Sequence, residues 1–289
     1  MFEYMYKVPQ NKTIYGSLRI KNIIFEPNEI EEKLPDIVFE DKNLKHMFAE
    51  SDLSGNKRRH IYRRFAPKSK IEPDINSFVE ANIATNKSFY SFLAEGILGL
   101  VFRDLYNYSL AKGVIDIRDT LSDSHTGVDA CLYNLEHNII VLGEAKFYES
   151  LAGGINKIID DFVKKSIKNK LESLQTNVEN CEEIYEVVIK NLQLENYDEL
   201  TVEQFMKQRI VFAGFVLHSE TDVSKYDKQN FYDKYSISIQ DLEDNIKNSL
   251  KQDEIQGEYE IILVHLPIED KKRLIVRMIE TSKDKLRNM

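Results

Sequence analysis

The chain has 289 residues, of which 42% are hydrophobic and 30% are charged, and its formal net charge is -9 at pH 7. That length suffices for one large domain, or for a domain with an added N-terminal region. The acidic balance argues against a free-standing protein that binds nucleic acid tightly, unless basic residues cluster locally or a partner brings the nucleic acid. The sequence has no secretory signal pattern and no apolar stretch near the roughly 18 residues of a membrane span, and its two cysteines form no disulfide framework. These features predict a cytoplasmic protein.

Residues 1–83 are predicted to form an N-terminal region of short strands and loops, because short apolar runs alternate with prolines there. The region contains a basic stretch, residues 57–64, with the sequence KRRHIYRR. Basic side chains interleaved with an aromatic one suit phosphate binding and base stacking, although charge runs more often form solvated loops. The candidate nucleic-acid-binding residues are Lys57, Arg58, Arg59, Arg63 and Arg64, with Lys164 and Lys165 farther along the chain.

Residues 84–289 are predicted to form one α/β domain. The predicted strands cover residues 114–118, 127–133, 139–147, 209–218 and 259–266. The predicted helices cover residues 88–108, 155–177, 181–194, 201–207, 239–251 and 269–287. The second and third strands are separated by a short turn and are expected to form an antiparallel hairpin. This order of elements predicts a mixed sheet flanked by helices.

Three charged residues interrupt the apolar strands of this domain. Glu144 and Lys146 lie two residues apart on one predicted strand, so their side chains point to the same side of the sheet. Asp129 lies on the preceding strand, and the hairpin would bring it beside Glu144. Charges in such apolar strands are costly unless they are paired or bind a metal ion.

Two carboxylates held close together favour a divalent cation, and Mg²⁺ prefers oxygen ligands. Such a cation lowers the pKa of a bound water and stabilises charge on a phosphodiester. Lys146 would orient the water or stabilise the developing anion. Glu95 is the only acid in the apolar part of the first helix of this domain, and nearby glycines let that helix approach the sheet closely. The sequence therefore predicts Mg²⁺ (or Mn²⁺) as the cofactor, with Asp129, Glu144 and Glu95 as ligands.

This succession of an acidic residue on a helix, an Asp on a strand and Glu-x-Lys on the next strand resembles the PD-(D/E)xK nuclease superfamily. The resemblance implies a restriction-endonuclease-like core. It also implies that Asp129 and Glu144 bind metal, that Lys146 assists catalysis and that Glu95 is the acid of the helix. One departure is Val128, which precedes the Asp where the pattern has proline.

Three longer segments are similar to the nuclease subunits of the Hachiman anti-phage defence system, namely AEGILGLVFRDL, GVDACLY and IIVLGEAKFYES. This resemblance covers most of the chain. It implies a bacterial deoxyribonuclease that works in a hetero-complex with a superfamily-2-type (HamB-like) helicase subunit and attacks DNA when infection or DNA damage releases it. A partner that binds DNA would also answer the objection raised by the acidic charge.

Two alternatives stay open at this point. The three charged residues could form an internal salt bridge on a half-exposed sheet face. The chain could also be a non-catalytic scaffold subunit that keeps a nuclease-like fold and binds DNA or the helicase without cutting. Metal binding separates the scaffold from the enzyme, because a scaffold should give no Mg²⁺ or Mn²⁺ signal that depends on Asp129 and Glu144.

Overall fold

The computed structural model describes a large part of the chain, namely residues 11–13, 16–22, 27–48, 52–66, 74–86, 89–110, 130–134, 139–164, 209–219 and 259–289 and a few isolated positions. The described helices are α1 (Pro27–Val38), α2 (Asp41–Met47), α3 (Gly55–Phe65), α4 (Ile75–Thr85), α5 (Phe92–Tyr106), α6 (Leu151–Lys164) and α7 (Lys271–Arg287). The described strands are β1 (Asn11–Thr13), β2 (Gly16–Asn22), β3 (Ser109–Leu110), β4 (Ala130–Asn134), β5 (Ile139–Tyr148), β6 (Arg209–His218) and β7 (Tyr259–Pro267).

These strands form one mixed sheet in the order β1-β2-β7-β6-β5-β4-β3. Strands β2, β7, β6 and β5 run parallel to one another, and antiparallel strands flank them on both sides. Parallel strands are usually covered on both faces, and β5, β6 and β7 are accordingly almost continuous apolar runs. The predicted α/β architecture, a mixed sheet flanked by helices, is confirmed.

Helices cover both faces of the sheet. Gly143 of β5 faces α5, because a Cβ at that position would lie 3.1 Å from Cδ2 of Leu98. Gly214 of β6 faces α6, because a Cβ there would lie 3.1 Å from Cγ2 of Ile158. The layer that contains α5 also contains α1 to α4 and α7, whose apolar side chains share one buried core with that face of the sheet. Since strand side chains alternate, Glu144 faces α6.

The N-terminal region departs from its prediction. Helices α1 to α4 occupy most of its described residues, so the prediction of short strands and loops was wrong there. The basic stretch lies in α3, where Ile61, Tyr62 and Phe65 are buried in the core. Burial of this apolar stripe stabilises the helix, which the charge-rich local sequence did not predict. Strand β2 pairs with β7, so residues before and after position 84 share one sheet and one core.

Most predicted elements of the following domain are confirmed. The hairpin is present as β4 and β5, and the two later strands and the closing helix are β6, β7 and α7. The first predicted helix begins at Phe92, four residues later than expected, and ends at Tyr106, followed by Asn107, whose backbone is left-handed. Outside the described residues lie the strand at 114–118, the helix at 181–194 and nearly all of the helices at 201–207 and 239–251. The same holds, apart from isolated positions, for residues 165–177 of the helix predicted at 155–177. In the part of the chain that is described, no helix is long and apolar enough to cross a membrane.

Candidate active site

Strand β5 places Glu144 and Lys146 on the sheet face that α6 covers. Their side chains share that face, as the period of two predicts, and Nζ of Lys146 lies 3.4 Å from Oε2 of Glu144. Glu144 is only 1% exposed, whereas Lys146 retains some contact with solvent. A carboxylate at this depth is stable only if its charge is compensated, and the neighbouring ammonium supplies part of that compensation.

Helix α6 adds two charged residues that the sequence analysis missed. Oδ2 of Asp161 lies 3.0 Å from Nζ of Lys146, and Oδ1 of Asp161 accepts a hydrogen bond of 2.8 Å from Nζ of Lys157. The result is a row of alternating charges, Glu144, Lys146, Asp161 and Lys157, that runs from the sheet interior towards the surface. We call these four residues the charge row. The spacing of Lys157 and Asp161, four residues apart on one helix, was a usable signal for their ion pair.

The pKa values within the charge row reflect this pairing. Burial by itself would raise the pKa of Asp161, but the hydrogen bond from Lys157 and the positive charge of Lys146 outweigh it and lower that pKa. The same hydrogen bond to Asp161 raises the pKa of Lys157. Both groups therefore stay charged at neutral pH, and each described carboxylate in the row has an ammonium beside it.

Glycines bring α6 close enough to the sheet to make these contacts. A Cβ on Gly154 would overlap the side chain of Val216, and a Cβ on Gly214 would lie 3.1 Å from Cγ2 of Ile158 in α6. Farther along the helix, the ring of Phe162 meets that of Phe212 edge to face with centroids 5.4 Å apart. The helix therefore lies directly along β6, and its polar flank reaches over β5.

The described part of the chain does not show the other two predicted site residues, Asp129 and Glu95, together with Glu144 and Lys146. Asp129 lies outside the described residues, next to Ala130, whose pairing with Gly143 is the last described pair of the β4–β5 ladder. Glu95 lies half-buried in the first turn of α5, the helix that covers the opposite face of the sheet from Glu144. The roles of Asp129 and Glu95 as metal ligands stay predictions.

Within the described residues, no group of three or more His, Cys, Asp or Glu side chains is placed to hold a metal ion. The chemistry of the donors nevertheless suits a hard cation, because Glu144 and the predicted Asp129 both offer carboxylate oxygens. In the charge row, two carboxylates face two ammonium groups. An additional carboxylate from Asp129 would leave an excess negative charge that a divalent cation could neutralise.

The predicted nucleic-acid-binding residues differ in how exposed their side chains are. Arg64 is 2% exposed and its guanidinium lies over the ring of Phe92 at 4.4 Å, a buried placement that does not favour its predicted contact with nucleic acid. Arg58 forms a two-point ion pair with Asp41 at 2.5 Å for each contact. Arg59 is exposed, and Lys57 and Arg63 are partly exposed. The side chains of Lys164 and Lys165 lie outside the description.

A family model described as HamA matches residues 17–281, which extend from β2 into α7 and include the whole charge row. No curated protein matches the chain.

Proposed function

Because this chain belongs to the HamA family and is thus a component of Hachiman anti-phage defence, we propose that it is the metal-dependent DNA nuclease of that system. It hydrolyses phosphodiester bonds with Mg²⁺ or Mn²⁺, and a HamB-like superfamily-2 helicase controls its access to DNA. Glu144, Lys146 and Asp129 carry the chemistry.

The observation that carries this proposal is the placement of Glu144 and Lys146 on β5, a strand that is otherwise almost continuously apolar. A carboxylate that is 1% exposed, with an ammonium 3.4 Å away, contributes little to stability compared with apolar residues of the same size. Its retention in the middle of the sheet is explained by chemistry at that site. The alternative considered from the sequence, an internal salt bridge, accounts for the pairing of Glu144 with Lys146. It gives no reason for the almost complete burial of Glu144.

The register of the β4–β5 ladder supports Asp129 as the second carboxylate. Ala130 and Gly143 are directly opposite each other, and opposite residues of an antiparallel pair share a sheet face. Extension of this register by one residue would set Asp129 opposite Glu144. The two carboxylates would then converge on the face that carries Lys146.

Each residue has a distinct role in the proposed reaction. Glu144 and Asp129 hold the cation, and Glu95 assists if the first turn of α5 reaches past the end of β4. The bound cation supplies Lewis acidity towards a phosphate oxygen and an activated water. Lys146 orients the attacking water and stabilises negative charge that develops on the phosphate, because its ammonium lies beside the carboxylate that holds the cation.

A helicase partner would explain how an acidic chain can act on DNA, which is also negatively charged. A net charge of -9 disfavours independent association with DNA. A helicase that binds DNA first would hold the substrate near the site at a high effective concentration. It would also restrict cleavage to DNA that the helicase has engaged.

The test is cleavage of plasmid and linear DNA with Mg²⁺ or Mn²⁺, by the chain alone and with the helicase and ATP. We compare the wild type with Glu144→Gln and Lys146→Ala. Each substitution should lower the cleavage rate by about a hundredfold or more, because each removes a group that acts on the reacting phosphate.

The matched control is Glu149→Gln, which makes the same chemical change at an exposed position just after β5. It should cleave as the wild type does. Cleavage that survives Glu144→Gln would refute the proposal. Absence of cleavage by folded protein that still binds the helicase would favour the scaffold function instead.

A further inference from the structure

Among the described residues, the carboxylate closest to Lys146 is on another element of the fold. Its ammonium lies 3.0 Å from Asp161 on α6 and 3.4 Å from Glu144 on its own strand. We propose that Asp161 is a positioning residue, which holds the Lys146 ammonium in the place where it acts on the scissile phosphate. This inference rests on the proposed nuclease function for its kinetic consequence, but the placement itself can be measured without any cleavage.

A lysine needs such a partner because its side chain is long and flexible. Its ammonium is a point charge on a four-carbon stem, and a single contact leaves many rotamers available. Contacts to Glu144 from one side and Asp161 from the other restrict the ammonium to a small volume between β5 and α6. Preorganised charge of this kind contributes more to catalysis than charge that must first be brought into position.

Asp161 suits this purpose because its own position is fixed. The adjacent residue, Phe162, is almost fully buried and packs edge to face against Phe212 of β6. Three residues earlier, Ile158 is buried against Gly214. These apolar anchors on either side hold the backbone of α6 against the sheet, so the carboxylate of Asp161 approaches Lys146 from a rigid support.

Lys157 completes the arrangement by occupying the other oxygen of Asp161. Oδ1 accepts from Lys157 at 2.8 Å, which leaves Oδ2 to face Lys146. Lys157 is 41% exposed and so contributes mainly orientation of the Asp161 carboxylate. In the charge row, Lys157 therefore orients Asp161, and Asp161 in turn positions Lys146.

The kinetic test compares Asp161→Asn with Asp160→Asn, which removes the same charge at the preceding, exposed position of the helix. In the complex with helicase, Asp161→Asn should lower kcat by about tenfold to a hundredfold and leave KM for DNA nearly unchanged, because misplacing one catalytic group affects the reaction and not the binding. Asp161→Glu, which retains the charge, should recover part of the loss. Asp160→Asn should keep the wild-type kcat. An unchanged kcat in Asp161→Asn, or an equal loss in Asp160→Asn, would overturn the inference.

A second measurement needs no nuclease activity. The rate of acetylation of Lys146 by acetic anhydride is followed by mass spectrometry in proteins shown to be folded by circular dichroism. Asp161→Asn should raise the Lys146 rate several-fold, because the amine is released from the carboxylate 3.0 Å away on α6. Asp161→Glu should stay near the wild-type rate, and exposed Lys42 on α2 should react equally in every variant. An equal Lys146 rate in wild type and Asp161→Asn would refute the positioning role, whether or not the protein cuts DNA.

Discussion

Gly154, in the first turn of α6, lies directly against the side chain of Val216 in β6, with no room for a Cβ between them. This contact sets the distance of the helix from the sheet. The polar flank of the same helix carries Asp161, which contacts Lys146 on β5. Helix packing and the geometry of the candidate site are therefore coupled.

Gly154→Ala should force α6 away from the sheet. We expect a loss of about 1–3 kcal/mol in the free energy of unfolding, since overpacking displaces side chains and backbone, and weaker cleavage in the complex. Denaturant titration measures the first effect. Gly55→Ala is the control, because a Cβ there meets nothing within 4 Å, and its stability should match the wild type. Equal stability of Gly154→Ala and wild type would contradict the close contact.

A buried histidine pair predicts a pH effect on stability. Nε2 of His218 lies 2.9 Å from Nδ1 of His265, and burial lowers the pKa of His218 to about 3. The unfolded chain binds a proton at this site below about pH 6.5 while the folded chain does not, so the free energy of unfolding decreases as the pH falls. The slope from this group approaches about 1.4 kcal/mol per pH unit below that value.

His218→Gln should make that decrease shallower between roughly pH 6.5 and 4.5 in urea titrations. His46→Gln should have a similar effect over a narrower range. Burial, followed by the charge of Arg103, lowers the pKa of His46 to about 4, and its Nε2 donates to the carbonyl of Gly99 at 3.2 Å. An identical pH slope in wild type and His218→Gln would show that His218 titrates normally in the folded protein.

Two neighbouring arginines of α3 should behave differently. Arg64→Ala should lower the free energy of unfolding by about 2 kcal/mol or more, because it leaves a cavity and removes the stacking on Phe92. Arg59→Ala should leave stability within about 0.5 kcal/mol, since its side chain is exposed. If the exposed face of α3 contacts DNA, Arg59→Ala should also weaken DNA binding by the complex. Equal stability losses would contradict the buried placement of Arg64.

The hydroxyl of Tyr90 should stabilise the start of α5. Tyr90 is fully buried with a left-handed backbone (φ 65), and its hydroxyl donates to the carbonyl of Phe65 at 3.0 Å. Burial raises the pKa of this phenol well above its usual value, so it remains a donor. Tyr90→Phe should reduce the free energy of unfolding by about 1 kcal/mol, as measured by denaturant titration. If the free energy of unfolding is unchanged in Tyr90→Phe, the hydrogen bond makes no net contribution to stability.

Sequence patterns predicted the site only where its residues lie on one strand. The period of two placed Glu144 and Lys146 on a common face, and their ion pair confirms it. Asp161 was missed because its contact with Lys146 depends on how closely α6 lies above β6. That distance follows from contacts between residues such as Gly154 and Val216, which are distant in sequence and have no local signature.

The N-terminal helices were missed for a related reason. In α3, five charged or polar residues precede Ile61, so local composition favours a solvated loop. The helix is stabilised by partners elsewhere in the chain, such as Ser282 of α7, whose hydroxyl donates to the carbonyl of Tyr62 at 2.6 Å. Strands β5 to β7 were predictable because a run of apolar residues between turns needs no such information.

The pairing of β2 with β7 has a consequence for biosynthesis. Contacts between these ends of the fold have very high contact order, and Arg277 binds Glu32 across 245 residues. During synthesis β2 is made long before β7, so neither β2 nor β6 can pair with β7 until that strand has been translated. Nascent chains therefore carry Glu144 and Lys146 on an unfinished sheet. On the proposed function, the sheet that carries the site would be complete only after β7 has been synthesised.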